Sequence, residues 1–151
     1  MTTLKRILLA EDNKKDVELT LAALAEHRLA NAVTVVRDGA EALDYLHRRG
    51  KFAAHNDGLP VVVLLDLKMP KVDGLEVLRQ MKSDPQLKNI PVVMLTSSRE
   101  EQDLVNSYKL GVNAYVVKPV DFGQFVESVK TLGCFWAVLN EPPPAVLQKA
   151  A

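Results

Sequence analysis

The chain has 151 residues, 48% apolar and 25% charged. That is the length of one ordinary domain with globular composition. Nineteen Lys and Arg balance nineteen Asp and Glu, so no bulk charge draws the chain to nucleic acid. A single cysteine, Cys134, excludes an internal disulfide; with neither a signal pattern nor an apolar stretch long enough to cross a bilayer, the expected location is the cytoplasm.

The first apolar run, Ile7–Ala10, is followed by Glu11-Asp12-Asn13 and then by helical spacing at Val17, Leu21 and Leu24. The second run, Val33–Val36, leads to Asp38-Gly-Ala-Glu41, a capping residue with an acid three positions on, and a helix marked by Leu43 and Leu46. Gly50 stands where a left-handed residue would end that helix. A longer loop comes next, from about Gly50 to Leu59. The third run, Val61–Leu65, ends on Asp66, and a second capping box, Asp73-Gly-Leu-Glu76, opens a helix with Leu75, Leu78 and Met81. The fourth run, Val92–Leu95, ends in Thr96-Ser97-Ser98. Ser98 with Glu101 caps a helix spaced by Leu104 and Tyr108, and Gly111 closes it. The fifth run, Ala114–Val117, ends in Lys118-Pro119. Asp121 with Gln124 then opens a last helix through Phe122, Phe125, Val129 and Leu132, and Pro142-Pro143-Pro144 starts an extended tail.

Runs this short and this rich in Val, Ile and Leu are strands covered on both faces of a parallel sheet. Strand and helix alternate five times. The predicted fold is therefore α/β: a five-stranded parallel sheet, doubly wound as (βα)5, a flavodoxin-like three-layer sandwich. The expected organisation is one domain over 1–140 and an extended tail over 141–151.

Ligands of open parallel sheets bind outside the carboxyl ends of the strands. Glu11, Asp12 and Asp66 stand at those ends, with Thr96 and Lys118. Three crowded carboxylates repel one another unless a cation intervenes. Mg²⁺ takes oxygen ligands and commonly uses one or two carboxylates beside a phosphate oxygen. A metal, an ammonium and a hydroxyl together suit a phosphoryl group in transfer. No nucleotide loop is present, so that group must arrive activated, and the Asp66 carboxylate could accept it as an acyl phosphate. Each residue also has a plain structural role open to it. Asp66 could be a turn residue, Glu11, Asp12 and Asn13 helix caps, Lys118 a solvated lysine, and Tyr115 a packed ring. His27, His47 and His55 lack metal spacing and are expected at the surface, and Cys134 is expected to pack in a helix.

The motifs LLAEDN, LLDLKMPKVDGLEVL, VVMLTSS and AYVVKPV, within about Lys5 to Leu132, resemble the receiver domain of two-component response regulators in order and spacing. The resemblance implies Asp66 as phosphoacceptor and Mg²⁺ held by Glu11, Asp12, Asp66 and the Lys68 backbone carbonyl. It implies Thr96 and Lys118 on the phosphoryl oxygens, and Thr96 with Tyr115 as the switch. Lys68 and Ser98 match variable positions beside the phosphate. Pro119 matches a position held cis, tolerable because X-Pro cis costs only about 0.5–1 kcal/mol.

The segment after Leu132 is too short for a DNA-binding domain, so the expectation is a stand-alone receiver, a signalling protein rather than an enzyme, acting only on its own phosphorylation and dephosphorylation. The long loop and the FWAVLNEPP segment resemble single-domain receivers serving phytochrome-type histidine kinases. The implied partners are such a sensor kinase, a downstream protein or phosphotransfer domain, and a second copy of the chain. The pairing face would be the fourth helix, fifth strand and fifth helix, with Phe135, Trp136 and Leu139 as candidate interface residues. Alternatives are a phosphate shuttle or sink without a direct effector, or a phosphatase of the haloacid dehalogenase type. The latter needs a second Asp two positions after the nucleophile, where this chain has Lys68.

Overall fold

The computed structural model describes residues 6–25, 33–55, 58–96, 106–112 and 114–117, and their side chains except those of 23, 24, 95, 96 and 114–117. Strands β1 (Ile7–Ala10), β2 (Val33–Val36), β3 (Val62–Leu65), β4 (Val92–Thr96) and β5 (Ala114–Val117) alternate with helices α1 (Lys14–Ala25), α2 (Gly39–His47) and α3 (Gly74–Ser83). All strand pairs are parallel, in the order β2-β1-β3-β4-β5. This is the parallel α/β architecture that the alternation of apolar runs and capping signals implies.

The order fixes where the helices go. The chain steps one way from β1 to β2, then reverses from β2 past β1 to β3 and on to β4. Right-handed crossovers therefore put α1 on one face and α2 with α3 on the other. Burial agrees. Leu8, Ala10, Val63, Leu65, Val92 and Met94 share a core with Leu43 and Leu46 of α2 and Val77, Leu78 and Met81 of α3. The alternate residues Ile7, Leu9, Val62, Leu64 and Val93 are also buried, on the face that Val17 of α1 covers. Strands sealed on both sides need no polar alternation, which is why β1 and β3 read as unbroken apolar runs.

Helix starts obey the sequence signals. Asp38 Oδ1 accepts the Glu41 backbone N–H at 2.7 Å, and Asp73 Oδ1 that of Glu76 at 2.9 Å. Asn13 caps α1 through Asp16 N–H at 3.1 Å. The capping signals at Ser98 and Asp121 lie outside the described residues.

Three expectations need correction. The left-handed residue ending α2 is Arg48 (φ 54°), not Gly50. Arg49 N–H reaches Asp44 O and Arg48 N–H reaches Tyr45 O, the paired bonds that close a helix end. Gly50 (φ 60°) instead begins a 3-10 turn, Gly50–Phe52. His55 is half-buried and not simply exposed. Its ring stacks on Tyr45 with centroids 4.4 Å apart, Phe52 stands edge-on to both, and its Nε2 lies 3.0 Å from the Tyr45 carbonyl. The long loop is thus tied down by an aromatic cluster. Tyr108, spaced as an inward residue, is 52% exposed, while Ser107 beside it is fully buried. The helical residues 106–109 present the small side chain to the interior and the ring to solvent. His47 is exposed, as expected, 3.9 Å from the Asp84 carboxylate. His27 and Cys134 lie outside the described residues.

Candidate functional site

The carboxyl ends of β1 and β3 lie side by side because Ala10 and Leu65 are partners in the register. The ladder continues one step further: Asp66 N–H donates to the Ala10 carbonyl and Glu11 N–H to that of Val36, both at 3.0 Å. Glu11 and Asp66 therefore leave neighbouring strands at the same level. Glu11 is 2% exposed, Asp66 6%, and Asp12 stands open to solvent.

One ligand oxygen from each of Glu11, Asp12 and Asp66 lies within 4.8 Å of the others. Two unit charges at that separation repel by on the order of 3 kcal/mol at a surface-like effective dielectric. The backbone relieves part of this. The first turn of α1 begins at Lys14, and its N–H groups and dipole favour negative charge close by. A set of three oxygen donors, two of them buried, open to solvent on the Asp12 side, has the chemistry of a hard divalent ion such as Mg²⁺ or Mn²⁺.

The loop after Asp66 is held firmly. Leu67 and Met69 are buried in the core, whereas Lys68 and Pro70 are exposed. This alternation anchors the bent loop to the core at two points just beyond the strand end. Gly74 N–H then donates to the Leu67 carbonyl at 2.8 Å. At Gly74 a Cβ would sit 2.3 Å from the Asp66 carbonyl oxygen and 2.8 Å from Leu67 Cα. At Gly39 one would sit 1.8 Å from the Val72 carbonyl oxygen. Both glycines come directly after a capping aspartate, and both let a helix start press directly on the loop. Capping logic alone misses this; the available signal is a poor helix former placed first in each helix.

Of the other residues singled out in the sequence, Thr96 ends β4, the neighbour of β3, and its backbone pairs with Val117 of β5. Tyr115 lies within β5 opposite Met94. The Thr96 and Tyr115 side chains, and all of Lys118, Pro119, Phe135, Trp136 and Leu139, lie outside the described residues. By backbone position, then, β1, β3 and β4 bring Glu11, Asp12, Asp66 and Thr96 to one edge. No helix among the described residues is long and apolar enough to cross a membrane.

Comparison with known proteins agrees. The profile of the family described as "Response regulator receiver domain" matches residues 7–130. The chain is 39% identical over 132 residues to "Response regulator Rcp1" of Synechocystis sp., spanning 87% of this chain and 88% of that protein. It is similar to the structure of "the Mn(2+)-bound form of response regulator Rcp1" (TM-score 0.84, 38% identity, 92% and 99% of the two chains). It is also similar to "the Phosphorylated Cyanobacterial Phytochrome Response Regulator RcpA" (TM-score 0.85, 45% identity, 93% and 99%). A third structure, "Bacteriophytochrome response regulator RtBRR", is 66% identical with a TM-score of 0.75 over 96% and 87% of the chains.

Proposed function

Given that this chain belongs to the response regulator receiver family and is related to the phytochrome-associated response regulators, we propose that it accepts a phosphoryl group from a histidine kinase onto Asp66. The observation that carries this reading is the convergence of the Glu11, Asp12 and Asp66 carboxylates within 4.8 Å at the carboxyl edge of the sheet.

In this reading an Asp66 oxygen attacks the phosphorus of a phosphohistidine. The new P–O bond forms as the P–N bond breaks, and the imidazole leaves. Glu11, Asp12, Asp66 and the Lys68 backbone carbonyl would hold Mg²⁺, which would neutralise charge on the phosphoryl oxygens. The buried Leu67 and Met69 keep the Asp66 loop from drifting, so the carboxylate is oriented before the donor arrives. Thr96 supplies a hydroxyl donor and Lys118 an ammonium to the transferred group. A Mn²⁺-bound relative of the same fold supports the metal assignment.

The acyl phosphate adds about two negative charges to the edge. Thr96 and Tyr115 act as the switch that carries this change to the face of the fourth helix, β5 and the fifth helix. A second copy of the chain docks on that face, with Phe135, Trp136 and Leu139 extending it; the exposed Tyr108 ring suits such a contact. Pro119 adopts the cis form, the receiver domain spans 1–140 with an extended tail over 141–151, and the protein works in the cytoplasm. Similarity to phytochrome response regulators points to a phytochrome-type kinase as donor, and the outcome is partner binding or onward relay of phosphate.

Incubation with acetyl phosphate and Mg²⁺, with the intact mass then measured, tests the central claim. One phosphoryl adduct is expected on the wild type and none on Asp66→Asn. An adduct that survives this substitution refutes the assignment.

A further inference from the structure

A second acidic group stands at the same sheet edge, outside the three-carboxylate cluster. Asp38 lies just past β2 and is 8% exposed. Its Oδ1 caps α2, and its Oδ2 lies 3.5 Å from the Lys71 ammonium. Lys71 belongs to the loop between Asp66 and α3. It has φ 67°, one of two non-glycine residues at positive φ among those described. Val72 N–H donates to the Pro70 carbonyl at 2.8 Å, closing a three-residue turn around Lys71. Turns of this kind with positive φ at the centre are the rarer, strained form, and persist where the surroundings over-determine them.

Three constraints do so here. Gly39 at the start of α2 lies flat against the Val72 carbonyl. Gly74 at the start of α3 lies against the Asp66 carbonyl and donates to Leu67. The Asp38–Lys71 pair ties the tip of the turn to the α2 cap. We infer that Lys71 is a positioning residue: its pairing with Asp38 fixes the 67–73 loop, and through it the Lys68 carbonyl, relative to Asp66. This rests on the reading of Asp66 and Lys68 given above. The α2 start thereby becomes a working part of the phosphoryl-accepting edge.

Three variants separate charge pairing from helix capping and from bulk stability. Lys71→Met removes the ammonium. Asp38→Asn keeps a good cap and removes the charge. Lys71→Arg restores the pair. The first readout, in metal-free protein, is amide hydrogen exchange at Val72 and Gly74. Exchange is expected to quicken about two- to fivefold in Lys71→Met and Asp38→Asn, the range open to a pair with one exposed partner, and to match wild type in Lys71→Arg. The second is the Mg²⁺ concentration giving half-maximal phosphoryl uptake from acetyl phosphate. It should rise by the same factor in the first two variants, while the rate at saturating Mg²⁺ is retained. Unchanged exchange in both charge-removing variants, or a lower saturating rate with unaltered Mg²⁺ dependence, overturns the positioning role. A wild type that takes up no phosphoryl group overturns the Asp66 reading and this role with it, whereas normal wild-type uptake with unmoved variants overturns the Lys71 role alone.

Discussion

Gly74→Ala is the sharpest test of how the loop carrying Asp66, the proposed phosphoacceptor, is held. The added methyl carbon would lie 2.3 Å from the Asp66 carbonyl oxygen, 2.8 Å from Leu67 Cα and 3.0 Å from the Asp66 carbonyl carbon. All three are backbone atoms, so no rotamer change can relieve them. Restoring ordinary contact needs about 1 Å of movement between the start of α3 and the strand end. Forcing such a shift on a packed interior costs about 1–3 kcal/mol. Alanine is the better helix former by up to about 1 kcal/mol, and Gly74 has no left-handed φ that would oppose alanine. The clash outweighs the propensity gain, leaving a net loss of about 1–2 kcal/mol. For a chain of this size that is a fall in Tm of about 2–8 °C. The same movement displaces Asp66 itself, and a misplacement of about 1 Å at a reacting group can cost on the order of 10²-fold in rate. Thermal unfolding monitored by circular dichroism, paired with the initial rate of phosphoryl uptake, reads both effects. Gly58→Ala is the matched control. Its φ of 75° strains an alanine, but no atom lies within 4 Å of the new carbon. It should lose about 1–2 kcal/mol and keep its uptake rate. A Gly74→Ala protein as stable as wild type, with undiminished uptake, would refute the reasoning.

Two further predictions concern charges on α3. Hydrogen bonds from Arg79, then from Gln80, and the Arg79 charge hold the Glu76 carboxyl at about 2 against its ordinary 4.5. A depressed carboxyl favours the folded state above 4.5 and loses that contribution as the pH falls towards 2. Arg79→Ala should return the carboxyl towards 4.5 in a side-chain NMR titration; a value still near 2 would show that Arg79 is not the cause. The pair lies at the surface, so titration is the proper readout, and salt should shrink the difference. Lys82 is the opposite case. Its ammonium donates to the Lys88 and Ile90 carbonyls at 3.1 and 3.3 Å, and burial lowers its pKa below 10.5. Lys82→Met should cost about 1 kcal/mol at neutral pH through the lost hydrogen bonds. The unfolded chain keeps the proton longer, so the wild type gains stability as pH rises towards 10.5 and its margin over the variant widens. Urea unfolding at pH 7 and pH 10 checks this; a narrowing margin contradicts it.

The parts of the fold legible in the sequence are those set by local rules. Strands β1 and β3 are continuous apolar runs because both faces are sealed, and Asp38 and Asp73 cap helices by side chains that reach only three residues. Strand-end chemistry was legible for a related reason. The residue after a parallel strand must emerge at the carboxyl edge, so Glu11, Asp12 and Asp66 could be placed together from topology alone. Contacts between segments distant in sequence escaped. The stacking of His55 on Tyr45 joins the long loop to α2, and no periodicity marks it. The inward phase of Ser107 rather than Tyr108 depends on how the helical residues 106–109 sit on the sheet. Arg48 ends α2 in a conformation that glycine usually takes, against its intrinsic preference, because the closing hydrogen bonds to Asp44 and Tyr45 outweigh it.

The Asp-Gly pairs at the heads of α2 and α3 show how one short pattern serves two levels of structure. In each, the aspartate satisfies the free amides at the head of its own helix, a local task that Asn or Ser could also perform. The glycine's task is not local. It removes the Cβ that would hold its helix away from the loop beyond Asp66, at Val72 for Gly39 and at Asp66 for Gly74. With both glycines in place, the loop is gripped between the starts of α2 and α3 while its own Leu67 and Met69 point into the core. A carboxylate so held cannot move away from Glu11 and Asp12 to ease their mutual repulsion. The repulsion of gathered like charges is therefore kept at the edge, where the proposed cation and phosphoryl donor would meet it.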